Sequence, residues 1–333
     1  MARTTSTLSI VSPMLNEEDG ADAFIAAVID QCEALTLDSF EIVIVDDGST
    51  DRTAEILDAW TKRRSEVRVL TLSRNFGHQA AITAGLFEAT GDGVIVMDSD
   101  FQDPPDVIPQ MVERWRAGVD VVYGVRRKRD GDSWIKRTVA GIFYRLLRWL
   151  SDTDIPADAG DFRLISRPVV DVLKSMPERD RYTRGLVSWS GFSQEPLYFD
   201  RPERFAGTTK YPVSKLMRLA TAGVVGFSDK PLFLTIIFGL GAMVLAVLGL
   251  IWVIVSTLFS WGEQIRGWTS MAVLVMFFSA VQLIFLGIVG IYISRIFVEA
   301  KHRPIYVIER DSRAGTRPSS DARDPGDSHA NPR

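Results

Sequence analysis

Four aspartates, Asp98, Asp100, Asp103 and Asp106, crowd the short stretch "VMDSDFQDPPD" at the end of an apolar run. Carboxylates this close repel and raise one another's pKa unless a cation stands between them. The spacing Asp98-x-Asp100 can set two carboxylate oxygens around one divalent ion, with Gln102 as a neutral oxygen donor. Mg2+ and Mn2+ favour such oxygen sets and complete their shell with water and phosphate oxygens. A calcium loop counted from Asp98 would need glycine at its sixth position and glutamate at its twelfth. It finds Asp103 and Pro109, so an EF-hand is excluded. Asp103 and Asp106 flank two prolines ahead of a predicted helix, where negative charge suits the helix dipole.

Two other stretches end in the same way. "SPMLNEED" places Pro13, Asn16 and Glu17 at the end of a first apolar run, and "VDDGSTD" places Asp46 and Asp47 before Gly48 at the end of a second. The elements that carry them alternate. Strand candidates "LSIVS", "FEIVIVDD", "VRVLTLS", "GVIVMD" and "VDVVYGV" are separated by helical patterns over Ala21–Ala34, Asp51–Arg64, Gln79–Ala89 and Pro105–Ala117. Strands apolar on both faces and joined by helices predict a mostly parallel sheet covered on both sides. Such an open α/β sheet binds ligands beyond the carboxyl ends of its strands, where the three acidic tips would meet. His78 follows "NFG" at a helix start. Gly77 before it allows close backbone approach to a ligand, and a purely structural histidine reads equally well. "QMVERW", at residues 110–115, is read as a helix rather than as a polysaccharide-synthase motif, because its spacing is one residue too long.

The 333 residues carry 38 basic and 42 acidic side chains, a formal net charge of −4 that gives no nucleic-acid signal. The single cysteine, Cys32, precludes an intrachain disulfide framework and fits a reducing compartment, as a small buried residue on a helix. No apolar leader precedes the first strand, so no secretory signal is expected. Apolar content is concentrated near the C-terminus. Pro231–Ser260 and Thr269–Ser294 contain no charged residue, and each exceeds the roughly 20 residues that cross a bilayer core of about 30 Å. Two transmembrane helices are expected, at about 231–258 and 269–295. Lys210, Lys215, Arg218 and Lys230 precede the first and Arg295, Lys301 and Arg303 follow the second, which predicts both termini in the cytoplasm.

Between sheet and spans the pattern changes. A basic amphipathic helix is expected over Asp132–Leu150, then a polar loop, "SDTDIPADAGDFRLI". An amphipathic stretch, "YPVSKLMRLATAGVVGFSDK", reads as a helix lying on the membrane surface. The tail from about residue 311 has almost nothing to bury and is expected to be disordered. The division is thus a domain over 1–200, an acceptor-binding segment and interfacial helix over 201–230, two spans over 231–298, and a C-terminal segment over 299–333.

"SPMLNEE", "VDDGSTDRT", "SRNFGHQAAITAGL", "MDSDFQDPP", "GDFRLI" and "RFAGTTKYP", in this order and followed by two spans, resemble the polyprenol-phosphate glycosyltransferases of glycosyltransferase family 2. The resemblance covers roughly Leu8 to Ile308. It implies a GT-A, Rossmann-like α/β domain with interfacial helices and a two-helix hairpin in a bacterial cytoplasmic membrane, and a homo-oligomer, with a tetramer among the options. It implies inverting, metal-dependent transfer of a sugar from a nucleotide sugar to an undecaprenyl or decaprenyl phosphate, yielding a lipid-linked donor for cell-envelope glycans. UDP-glucose is the favoured donor, with GDP-mannose or another UDP-sugar as alternatives. Pro13, Asn16, Glu17, Asp46, Asp47, Gly77, Asp98 and Ser99 would bind the donor. Asp98, Asp100 and Gln102 would hold Mg2+ or Mn2+. Arg126, Arg137, Arg204 and Lys210 would meet the acceptor phosphate, and arginine suits phosphate because its fork binds two oxygens. Asp161 would stand at the reacting centre, either orienting the acceptor or acting as base, with Asp158 as an alternative. A processive synthase and a non-catalytic nucleotide-sugar sensor are the rival readings.

Overall fold

The computed structural model describes residues 7–126, 159–179, 181–200, 230–258 and 268–314. Two bodies divide them, one built on a sheet and one helical.

Among the described residues the sheet has eight strands, in the order β7-β5-β6-β4-β1-β2-β3-β8. Its centre is β1 (Thr7–Met14), flanked by β2 (Ser39–Asp46) and β4 (Gly93–Val96), with β3 (Val67–Leu72) beyond β2, all parallel. These strands are apolar on both faces because helices cover both. On one side α1 (Ala21–Glu33) buries Phe24, Ile25, Val28, Ile29 and Cys32, a stripe at helical spacing. Beside α1, α2 (Thr53–Arg63) sends Leu57 into the same core, and on the other side α3 (His78–Glu88) buries Ala81, Ile82, Ala84 and Leu86. After β4 a turn of 3-10 helix (Pro105–Val107) leads into α4 (Ile108–Arg116), which buries Trp115 completely.

Beyond β4 the architecture departs from the expected parallel sheet. The segment read as a polar loop supplies a strand, β6 (Ala159–Ser166), which lies antiparallel between β4 and β5 (Val121–Arg126). Phe162 and Leu164 reach the core that Trp115 and Phe199 share, while Asp161 and Arg163, on the opposite face, are also buried. Two ionic residues in alternation disguised a central strand, because each offsets the charge the other brings inside. Helices α5 (Arg167–Ser175) and α6 (Thr183–Trp189) follow, and β7 (Gln194–Phe199) closes that edge parallel to β5.

The opposite edge is closed by β8 (Ile308–Asp311), antiparallel to β3. The expected start of a disordered tail, at about residue 311, falls inside this anchored segment. Arg68 donates from Nε and Nη2 to Asp311 at 3.1 and 2.7 Å and from Nη2 to Glu88 at 2.9 Å. Arg313 Nη1 donates to the buried Glu41 at 2.6 Å, and Val69 N–H to the Ser312 hydroxyl.

The helical body holds α7 (Lys230–Leu258) and α8 (Trp268–Ala300). Phe238 and Phe285, with centroids 6.5 Å apart, bring the two together. Among the described residues one stretch, Leu274–Ala300, is long and apolar enough to cross a membrane, and none of its most apolar window is buried. The apolar run within α7, Thr235–Gly249, is shorter.

Burial would raise the carboxyls of Glu41 and Asp311, but hydrogen bonds outweigh it: Thr90, Ser9 and Arg313 hold Glu41, and Arg68 with the Arg313 N–H holds Asp311, below their ordinary values. Their folded pKa values are depressed, so their contribution is complete above the unfolded values near 4 and is lost as pH falls through the folded ones. Unfolding midpoints followed by tryptophan fluorescence should therefore fall more steeply below about pH 4 in the wild type than in an E41Q/D311N variant. R68A, which strands two carboxylates, should cost about 2–3 kcal/mol at neutral pH.

Candidate active site

The three acidic tips do meet. The carboxyl ends of β1, β2 and β4 frame a cleft of about 240 Å3 that Pro13, Glu17, Asp47, Asp98, Ser99 and Asp100 line together with His78. Asn16, Asp46, Gly77 and Gln102 do not line it, but each is hydrogen-bonded within the loops that carry the lining.

Asn16 adopts a positive φ of 56°, and its Oδ1 accepts the Thr50 N–H at 2.8 Å, which ties the β1 tip to the loop after β2. Glu17 N–H donates to the Thr53 hydroxyl at 2.9 Å. Asp46 Oδ1 accepts the Ser49 N–H at 2.9 Å. Asp47 does the most. Its two oxygens accept the N–H groups of Phe76 at 2.7 Å and Gly77 at 2.9 Å, clamping the turn that presents His78. That turn needs its glycines. Gly77 sits at φ 98°, and Gly48, at φ 78°, lies where a Cβ would come within 2.9 Å of Asn75 N.

The loop after β4 is also tightly bound. Phe101 takes a left-handed φ of 58°, and its ring meets Phe24 of α1 edge-on at 5.8 Å. This turns Asp100 back over Gln102, whose backbone N–H donates to Asp100 Oδ1 at 3.1 Å and whose amide nitrogen bonds Oδ2. Gln102 thus serves Asp100 as a donor here, not as a second oxygen beside it. Asp103, just ahead of the helix start, also accepts the Asp98 N–H at 3.2 Å across the loop and so closes the turn.

Asp98 faces Asp161 from the neighbouring strand. His78 Nε2 stands between them, 3.4 Å from Asp98 Oδ1 and 3.6 Å from Asp161 Oδ2. Burial would lower the imidazole, but the two carboxylates prevail and raise it above its ordinary value. Burial raises the Asp98 carboxyl; His78 opposes this, and the charges of Asp161 and Asp100 add to it. Asp161 goes the other way despite its burial. Arg184 donates to it from Nε at 2.7 Å and Nη2 at 2.9 Å, and this fork, with His78 and the charge of Arg163, holds it well below the usual carboxylate range; Gln79 Nε2 also donates to it, at 3.2 Å. Two residues along β6, Arg163 is lowered by burial to about 10 and so remains a cation at neutral pH.

Asp98 Oδ1 is buried and, although His78 Nε2 stands 3.4 Å away, makes no hydrogen bond, which suits a metal ligand. Among the described residues no three His, Cys, Asp or Glu side chains are arranged to hold a metal ion by themselves, so an ion at Asp98 and Asp100 would need donor oxygens from a bound phosphate or from water. Arg126 closes β5 at the same edge of the sheet. Arg137, Arg204, Lys210 and Asp158 lie outside the described residues, as do the two expected amphipathic helices. Arg184 and Gln79 were not foreseen. The one signal for Arg184 was the need of a buried Asp161 for a cation, and many arginines could have met it.

A family model described as "Glycosyl transferase family 2" matches residues 9–173. An uncharacterized glycosyltransferase of Bacillus subtilis, YkcC, is 43% identical over 305 residues, 91% of this chain and 93% of its own. A bactoprenol glucosyl transferase of Shigella phage SfV is 40% identical over 304 residues, 91% of this chain and 98% of its own. Among solved structures, glucosyl-3-phosphoglycerate synthase from Mycobacterium tuberculosis aligns at 20% identity over 66% of this chain and 78% of its own, with a TM-score of 0.43.

Asp47→Asn should leave one of the two clamped N–H groups facing an amide hydrogen. Hydrogen exchange at Phe76 and Gly77 should then accelerate about tenfold or more, with amides in β1 and β2 unchanged.

Proposed function

The chain belongs to glycosyltransferase family 2, and from that premise we propose that it transfers glucose from UDP-glucose to a polyprenyl phosphate at the cytoplasmic face of a bacterial membrane. The observation that carries the reading is the cleft in which Asp98 and Asp100 stand beside Glu17 and Asp47, in a chain 40% identical to a bactoprenol glucosyl transferase along nearly that protein's whole length.

In this reading an acceptor phosphate oxygen attacks the anomeric carbon as the bond from that carbon to the UDP oxygen breaks, and UDP leaves with the electron pair. A single in-line displacement inverts the centre. A phosphate monoester has a second pKa of about 6, so the nucleophile is largely dianionic at neutral pH and needs no strong base. Asp161 is ill-suited to be one, since both of its oxygens accept bonds from cationic or amide donors. It stabilises positive character at the sugar carbon and orients the acceptor. Asp98 and Asp100, with Gln102 if its amide turns, would hold Mg2+ or Mn2+, which when bound neutralises charge on the departing diphosphate. Arg126, Arg137, Arg204 and Lys210 receive the acceptor phosphate.

The sheet supports a membrane hairpin by parity. α7 and α8 lie in the chain between β7 and β8, and both strands belong to one sheet, so the chain must cross a bilayer an even number of times. Leu274–Ala300 suffices for one crossing, and the uncharged run from Pro231 to Leu258 supplies the other. A homo-oligomer would cover part of the exposed apolar surface of these helices.

Vesicles carrying the protein and undecaprenyl phosphate, given radiolabelled UDP-glucose and Mn2+, should form a mild-acid-labile glycolipid. A long polymer, or donor binding without transfer, would overturn the reading, and glycolipid formed only from another nucleotide sugar would overturn the choice of UDP-glucose. D98A and D100A should each lower turnover by about 100-fold or more. Topology can be read by cysteine labelling, because Cys32 is buried and its thiol is pushed up to about 12, leaving little background. G262C, between the helices, should label from outside intact cells and S320C only after permeabilisation.

A further inference from the structure

Asp161 is held more tightly than its neighbours in the cleft. Its side chain is 7% exposed, and Arg184 meets it as a fork, Nε to Oδ1 at 2.7 Å and Nη2 to Oδ2 at 2.9 Å. The geometry is two-point, so it fixes the plane of the carboxylate as well as its position. Gln79 completes the arrangement. Its Nε2 donates to Asp161 Oδ2 at 3.2 Å, and its Oε1 accepts the Thr183 N–H at 3.2 Å, one residue before Arg184. A side chain of α3 therefore joins the strand that carries Asp161 to the helix that carries its arginine. His78, adjacent to Gln79, then comes to lie 3.6 Å from the same Oδ2.

We infer that Arg184 is the positioning residue of the transfer site: its fork sets the Asp161 carboxylate against His78 and Asp98, and Gln79 keeps the fork in register. The inference rests on the glycosyl-transfer reading above. Arg184 acts through Asp161 and not on substrate. A lysine could supply the charge but not the plane, because an ammonium is a single point with no fixed second donor.

Misplacing a group at a reacting centre by about 1 Å can cost about a hundredfold in rate. R184A should therefore lower kcat about a hundredfold while the KM for donor changes less than about threefold, and R184K should recover no more than about a tenth of wild-type kcat. Guanidinium chloride at a few tens of millimolar should restore part of the R184A rate and raise its unfolding temperature, while methylammonium does neither. The same guanidinium should leave the wild type unstimulated and slightly less stable.

Wild-type kcat in R184A or R184K would overturn the inference. So would an R184A defect that guanidinium and methylammonium relieve equally, since charge alone would then suffice. Should R184A fail to fold, R184K decides by its kcat. A wild-type protein that binds donor but forms no glycolipid would count against the functional reading instead, and guanidinium-specific stabilisation of R184A would still bear on the fork.

Discussion

Asp98 lies two residues beyond β4 and Asp161 near the start of β6, the antiparallel neighbour of β4, so the fold drives two carboxylates toward each other at one edge of the sheet. Nothing else at that edge can be arranged until this repulsion is met. His78 meets it from between them, and Arg184 meets it from behind Asp161, with Arg163 a second cation two residues along the strand. The two aspartates are pulled apart in character as a result. Asp161 is saturated by donors and held ionised, while Asp98 keeps a buried oxygen that makes no hydrogen bond. One is a fixed charge, and the other is open to a cation brought from outside.

The turns around the cleft serve the same arrangement. Asp47 spends its carboxylate on two backbone N–H groups, and so determines where His78 begins α3. Phe101 accepts a left-handed backbone in exchange for packing on Phe24, and so determines where Asp100 points. Residues that look from their type like ligands are here partly supports. The cleft is preorganised by carboxylates as much as it is lined by them.

The parallel half of the fold was legible because its signal is local. β1, β2, β3 and β4 are apolar runs bounded by turn residues, and their acidic ends follow directly in the chain. β6 was not legible, because its polar face is tolerated only through partners far away, Arg184 and Gln79 among them, and no window of sequence contains both. β8 escaped for a similar reason. "IERD" is charged and short, and becomes a strand only against β3, where Arg68 meets Asp311. That Asp47 and Asp103 also accept backbone N–H groups across their turns was not legible either. Spacing identifies a carboxylate at a strand end, but not whether it faces a ligand or the backbone beside it.

The clasp between Arg68 and Asp311 joins residues 243 positions apart. During synthesis, at about 5–20 residues per second, β3 must wait for every residue of both long helices before its outer partner exists. Over that interval its edge is a row of unsatisfied N–H and C=O groups, a template for the wrong strand as well as the right one. Arg68 makes the wait safer, since a cation met only by Glu88 near that edge discourages strangers until Asp311 arrives to complete its pairing. β8 is thus also a timer: this edge of the sheet is closed only when both long helices have been made and the chain has returned.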